Sequence, residues 1–80
     1  MIVKVEYRYN GLAIDKAFQD KAHICNGTLI GSGFFPEEKI RDVQFEFELE
    51  NHAEIFIRWI KANRKALQII GKVKIEINQN

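Results

Sequence analysis

The chain has 80 residues, which is enough for one small domain with a modest hydrophobic core. Its 12 Lys and Arg against 11 Asp and Glu give a net charge of +1, so the overall charge favours neither a nucleic-acid nor a membrane-surface partner. The single Cys excludes an intrachain disulfide and any site that needs two thiolates. We therefore expect a single domain over residues 1–80.

The first predicted elements are a strand over residues 2–9 and a helix over residues 15–25. In the strand, Val3, Val5 and Tyr7 alternate with polar residues, which is the period-two pattern of a half-buried strand. Asp15 is the predicted N-cap of the helix, and Gly27 is the predicted C-terminal stop. The apolar side of the helix is expected to carry Ala17, Phe18, Ala22, Ile24 and Cys25.

A competing interpretation replaces this first helix with two hairpins. Asn-Gly is the strongest two-residue hairpin signal, and it occurs at Asn10-Gly11 and again at Asn26-Gly27. Hairpins there would give strands over 12–18 and 22–25. The residues between Asp15 and Cys25 sort better at period 3.6 than at period 2, which favours the helix.

Two strands follow, over residues 28–35 and 40–50. Gly31 and Gly33 weaken the first of them and indicate a bulge or an edge strand. The second has the clearest alternation in the chain, and its apolar positions are Val43, Phe45, Phe47 and Leu49.

A second helix and a last strand complete the chain. Asn51 with Glu54 three positions later resembles a capping box, which predicts a helix that begins at Asn51 and ends between Ala62 and Leu67. The last strand is predicted over 72–77. Gly71 leaves open a short hairpin over 69–73 that would add an extra strand.

The predicted order is β-α-β-β-α-β. This order is typical of the α+β, ferredoxin-like split βαβ fold, which is a four-stranded antiparallel sheet with two helices on one face. We expect the first and third strands in the centre and the second and fourth at the edges. Many unrelated functions use this fold, so it does not name one.

The first candidate partner-binding surface combines the second strand with the second helix. Phe34 and Phe35 either cap the core from a bulged edge strand or anchor a partner strand that adds to this edge. Apolar residues cover more than half of the second helix, including Ile55 and Trp59. Either the first helix covers the additional apolar residues of the second helix, or these residues form a surface for self-association or for a protein partner.

The second candidate surface is basic. Arg58, Lys61 and Lys65 follow one stripe of the second helix with Arg64 nearby, and no acid occurs between Arg58 and Lys74. The stripe either contacts phosphates or is a solvated face with cations near the helix C-terminus, where the helix dipole favours them.

The sequence offers little that carries chemistry. His23 and Cys25 lie about 200° apart on a helix, and His52 has no partner by spacing, so we expect no metal, no cofactor and no enzymatic activity. No apolar stretch long enough for a signal peptide or a membrane span is visible, which predicts a cytoplasmic protein. The function expected is a small non-enzymatic interaction or regulatory module that self-associates, and the alternative is nucleic-acid binding.

Overall fold

A computed structural model describes residues 1–9, 14–69 and 71–78. The elements in chain order are β1 (Ile2–Arg8), α1 (Ile14–Ile24), β2 (Thr28–Phe35), β3 (Ile40–Glu46), α2 (Glu50–Ala62) and β4 (Lys74–Asn78). This order confirms the predicted α+β, ferredoxin-like arrangement.

The strands form one antiparallel sheet in the order β2-β3-β1-β4. β1 pairs with β3 from Ile2–Glu46 to Arg8–Ile40, and with β4 on its other side. The expectation that β1 and β3 are central and that β2 and β4 are edges is therefore confirmed.

The core lies between the sheet and the two helices. Alternate residues of β1 and β3 point toward the helices, and this burial of every second side chain produces the alternation of apolar and polar residues in their sequences. Among the described residues, the largest side chains that are fully buried are those of Val3, Val5, Tyr7, Phe18, Val43, Phe45, Phe47, Phe56 and Ile60. The aromatic rings contact one another, with Phe45 and Phe56 edge to face at 5.2 Å between ring centroids.

The helical interpretation of the first half is confirmed over α1, and the two-hairpin alternative is wrong there. Asn10 to Ala13, including the Asn10-Gly11 pair, lie outside the described residues. Ile24, predicted on the apolar side of α1, is largely exposed, because the buried side of the helix follows Ile14, Phe18 and Ala22.

The end of α1 corrects the role predicted for Gly27. The Gly27 N–H donates to the Ala22 carbonyl and the Asn26 N–H donates to the His23 carbonyl, which is the Schellman pattern. The left-handed residue of this motif is Asn26, with φ of 64°. Gly27 is needed for space instead, because a Cβ there would lie 2.5 Å from Cε1 of Phe47.

The junction of β3 and α2 also differs from the prediction. β3 ends at Glu46, so Leu49 is half exposed rather than part of the core-facing row. Leu49 is the N-cap of α2 and makes no side-chain cap hydrogen bond. The predicted cap, Asn51, lies within the first turn, where its Oδ1 accepts a hydrogen bond from the His52 N–H.

The end of α2 and the last strand, β4, are formed as predicted, but β4 begins later than predicted. α2 ends at Ala62, inside the predicted range, and β4 begins at Lys74 rather than at residue 72. The extra hairpin strand is wrong for the described part of 69–73, where no strand is formed; Ile70 lies outside the described residues.

A polar cluster lies at one end of the core, where Arg41 of β3 forms an ion pair with Asp15 of α1 at 3.2 Å. The Tyr7 phenol is buried beside this pair. Burial, and then the Asp15 carboxylate, raise the pKa of Tyr7 from 10.0 to about 12, against a lowering effect of Arg41.

We expect Gly27→Ala to lower the free energy of unfolding by roughly 1–3 kcal/mol, because the new methyl group displaces the buried ring of Phe47. Gly31→Ala is the matched control, since a Cβ at Gly31 meets no atom within 4 Å. Urea denaturation of both variants measures the difference. Equal losses of stability would contradict the close-approach role of Gly27.

We expect Tyr7 to destabilise the protein at alkaline pH. Its pKa is raised on folding, so its contribution is fully present below pH 10.0 and is lost as the pH rises through about 12. Urea denaturation at about pH 8 and about pH 11 should therefore show a larger loss for the natural chain than for Tyr7→Phe. A loss of the same size in both chains would show that Tyr7 does not titrate as the structure implies.

Candidate interaction surface

The outer edge of β2 is the first part of the candidate surface. β2 pairs with β3 on one side, and it is the terminal strand of the sheet on the other. The outward backbone groups of such a strand are a template for pairing with another strand.

Apolar side chains are concentrated on this strand. β2 reads Thr-Leu-Ile-Gly-Ser-Gly-Phe-Phe and contains no charged residue. Four of its side chains are large, apolar and more than two-fifths exposed, namely Leu29 (43%), Ile30 (47%), Phe34 (43%) and Phe35 (49%). Charged residues usually protect an edge strand from pairing, and β2 lacks this protection.

The glycines of β2 belong to a bulge and a close approach. The pairing with β3 shifts between Leu29 and Gly31, so Ile30 is the extra residue of a β-bulge, as the glycines predicted. A Cβ at Gly33 would lie 2.9 Å from Oδ1 of Asp42, which is buried on β3. The glycines therefore leave the middle of the outer edge without bulky side chains.

The two predicted aromatic anchors lie on opposite faces of the sheet. Phe34 is paired with Arg41, on the side of the helices, and its ring lies edge to face with Tyr9 at 5.3 Å between centroids. Phe35 is paired with Ile40, on the open face. A partner strand at this edge therefore meets an aromatic ring on each side.

The residues predicted on α2 are placed differently. Trp59 is partly buried between the helices, edge to face with Phe18 at 6.4 Å and stacked on Phe56 at 6.5 Å. The Lys21 Nζ lies 5.8 Å from the centroid of the Trp59 ring, a cation–π distance. The first helix covers Trp59, whereas Ile55 remains half exposed.

The structure does not join the two halves of the predicted surface. α1 contacts β2 and also α2, so it lies between the β2 edge and the helix that carries Ile55 and Trp59. The four predicted partner-binding residues therefore do not form one patch. Sequence reasoning missed Leu29 and Ile30, although two adjacent apolar residues in a strand already indicate that one of them leaves the alternating pattern.

The basic stripe is partly engaged within the chain. Arg58 lies 3.7 Å from Glu54 in an i, i+4 ion pair, and Arg64 donates a hydrogen bond to the Gly71 carbonyl. Lys61 and Lys65 are exposed. Lys61 and Arg64 border a groove of about 510 Å³ between α2 and β4, whose apolar lining is Ile60, Val73 and Ile75.

The second edge of the sheet, β4, is charged. Lys74 and Glu76 form an ion pair at 3.0 Å. The hydrogen bond and charge of Glu76 raise the pKa of Lys74, and those of Lys74 lower the pKa of Glu76. Lys4 continues this mixed-charge open face, at 3.7 Å from Asp42.

The remaining chemical features are few. Cys25 is a buried free thiol and His23 is exposed. Within residues 1–9, 14–69 and 71–78, no group of three or more His, Cys, Asp or Glu is placed to hold a metal ion. In the same part of the chain, neither helix is long and apolar enough to cross a membrane.

Comparison with known proteins adds no family to this description. No protein-family model matches the chain, and no curated protein matches it significantly.

Proposed function

We propose that this chain is a small non-enzymatic interaction module that associates with itself through the outer edge of β2. The observation that carries the proposal is the composition of this edge, which exposes four large apolar side chains and has no charge. Strand addition at such an edge uses backbone hydrogen bonds for affinity and side-chain contacts for specificity.

The placement of α1 restricts the proposed interaction surface to β2. Because α1 separates β2 from α2, the proposal keeps Phe34 and Phe35, adds Leu29 and Ile30, and leaves Trp59 with the helix packing. Ile55 is exposed on α2, which α1 separates from β2. A cytoplasmic location is part of this proposal, and a chain with a single cysteine, which has no intrachain partner, is compatible with a reducing compartment.

We expect the molar mass of the chain to rise with concentration, from micromolar to millimolar, in sedimentation equilibrium. Phe35→Lys places a charge on the β2 edge and should abolish this rise, because a pairing strand would have to cover the ammonium group. Ile77→Lys is the matched control, since Ile77 lies on β4 and is exposed to the same extent, 49%.

The Ile77→Lys chain should associate like the natural chain. A natural chain that stays monomeric at every concentration would refute the proposed function. Equal effects of the two lysines would place the association elsewhere than on β2.

Nucleic-acid binding is the second candidate, because Lys61 and Arg64 border the groove between α2 and β4 and no acid occurs between Arg58 and Lys74. With Arg58 and Arg64 engaged within the chain, Lys61 and Lys65 are the cations best placed to contact phosphates.

Fluorescence anisotropy with labelled single strands and duplexes separates the two candidates. For the interaction module we expect no binding at about 50 mM salt. Neutralisation of ~4 phosphates would instead give duplex binding that weakens about a hundredfold between about 50 and 200 mM salt. That result, together with loss of binding in a Lys61→Glu, Lys65→Glu chain, would make the basic stripe the working surface.

A further inference from the structure

We infer that the occupant of the β2 edge is a second copy of the same chain, paired antiparallel about a two-fold axis at Ser32. The two four-stranded sheets would then form one continuous sheet of eight strands, with all helices on one face. This inference rests on the proposed function, and it adds the symmetry and the register of the association.

The order of residues along β2 carries the inference. Ser32 is flanked by Gly31 and Gly33, and each glycine is followed, away from Ser32, by two large apolar residues. These outer pairs are Leu29-Ile30 and Phe34-Phe35. The pattern of large, small and polar residues is therefore the same in both directions from Ser32.

A two-fold interface requires a surface that is complementary to itself, and this strand meets that requirement. With Ser32 opposite Ser32, Gly31 of each copy lies opposite Gly33 of the other. Because Ile30 is the extra residue of the bulge, Phe34 of each copy then lies opposite the Leu29-Ile30 bulge of the other, and Phe35 lies opposite Thr28. Large apolar side chains meet at both ends of the paired segment, and no buried charge results.

The difference between the two sheet edges favours a two-fold dimer over a head-to-tail chain. A head-to-tail chain would pair β2 with β4, whose Lys74 and Glu76 form an exposed ion pair. It would also leave an unpaired β2 at one end and continue to grow. The two-fold dimer uses both β2 edges and leaves only the charged β4 edges at its ends.

The exposed apolar area of β2 determines the affinity expected for the dimer. A large apolar or aromatic side chain offers about 200 Å² when fully covered, so four such side chains at 43–49% exposure offer about 350 Å² per copy. The total of about 700 Å² before backbone pairing lies below the 1,200 Å² at which specific stable interfaces usually begin. We therefore expect a weak dimer that dissociates on dilution.

The register is tested by a cysteine at the axis. In the Ser32→Cys chain the two thiols face each other across an antiparallel pair, at a Cα separation of about 4.5–5.5 Å that suits a disulfide. Glutathione disulfide takes up the two electrons and two protons of the thiols, so the product is a dimer of twice the chain mass. The natural chain is one control, because its Cys25 is buried.

Thr28→Cys is the second control, on the same strand. Because Ile30 is the extra residue of the bulge, residue 28 lies three sheet positions from Ser32, so its two copies would be about 20 Å apart and would not be linked. Amide hydrogen exchange of the unmodified chain gives an independent measurement. Backbone amides of β2 should become protected as concentration rises, while those of β4 should not.

The outcomes are distinguishable. A dimer mass with a Ser32→Cys disulfide and β2 protection supports the inference. A dimer that neither links through residue 32 nor protects β2 overturns the two-fold register but leaves self-association intact. Growth beyond two copies indicates head-to-tail assembly and also overturns it, and a monomer at every concentration overturns both the inference and the proposed function.

Discussion

The packing of β1 and β3 against the helices is the constraint on which the rest of the structure depends. The core-facing side chains from Val3 to Tyr7, and from Val43 to Phe47 just after β3, are fully buried. Arg41, the next core-facing residue of β3, forms the ion pair with Asp15. The close contact of Gly27 with the Phe47 ring brings the start of β2 against this core. Since the centre of the sheet is filled by these two strands, β2 and β4 are left as the edges, and their outer backbone groups are the only strand-pairing sites available to another chain within the described sheet.

The two edges have opposite chemistry. On β4 the ion pair between Lys74 and Glu76 makes the edge costly to cover, because both charges would lose water. On β2 the large side chains of Phe34 and Phe35 lie on both faces of a strand that has no charge.

An 80-residue domain buries a limited amount of apolar surface, so exposing four large apolar side chains on one strand sacrifices stability that the fold would otherwise gain. The proposed pairing through that strand would recover part of this stability.

The fold could be predicted from the sequence where burial imposes a period on the residues. β1, α1 and β2 lie within two residues of their predicted bounds, because each has one buried side or a clear terminating pair of residues. The predicted N-cap of α2 was wrong, although α2 begins one residue from its predicted start. Asn51 and Glu54 have the spacing of a capping box, but β3 ends four residues before its predicted end, Leu49 is the N-cap, and Glu54 pairs with Arg58. Only part of the candidate interaction surface could be predicted from the sequence. Phe34 and Phe35 could be found from their position on a glycine-weakened strand, whereas the cover over Trp59 depends on Phe18 and Lys21, which only the tertiary fold brings near.

The position of Trp59 has a consequence for how this molecule can be observed. It is the only tryptophan in the chain, and its indole lies between two phenylalanine rings under a lysine side chain. Its emission therefore reports the polarity of the junction between the helices, and it shifts to longer wavelength when the helices separate and water reaches the ring. Because α1 stands between this junction and β2, the proposed strand pairing at the sheet edge would leave the indole environment unchanged. The natural chain thus contains an optical probe of its tertiary structure that would not respond to that pairing.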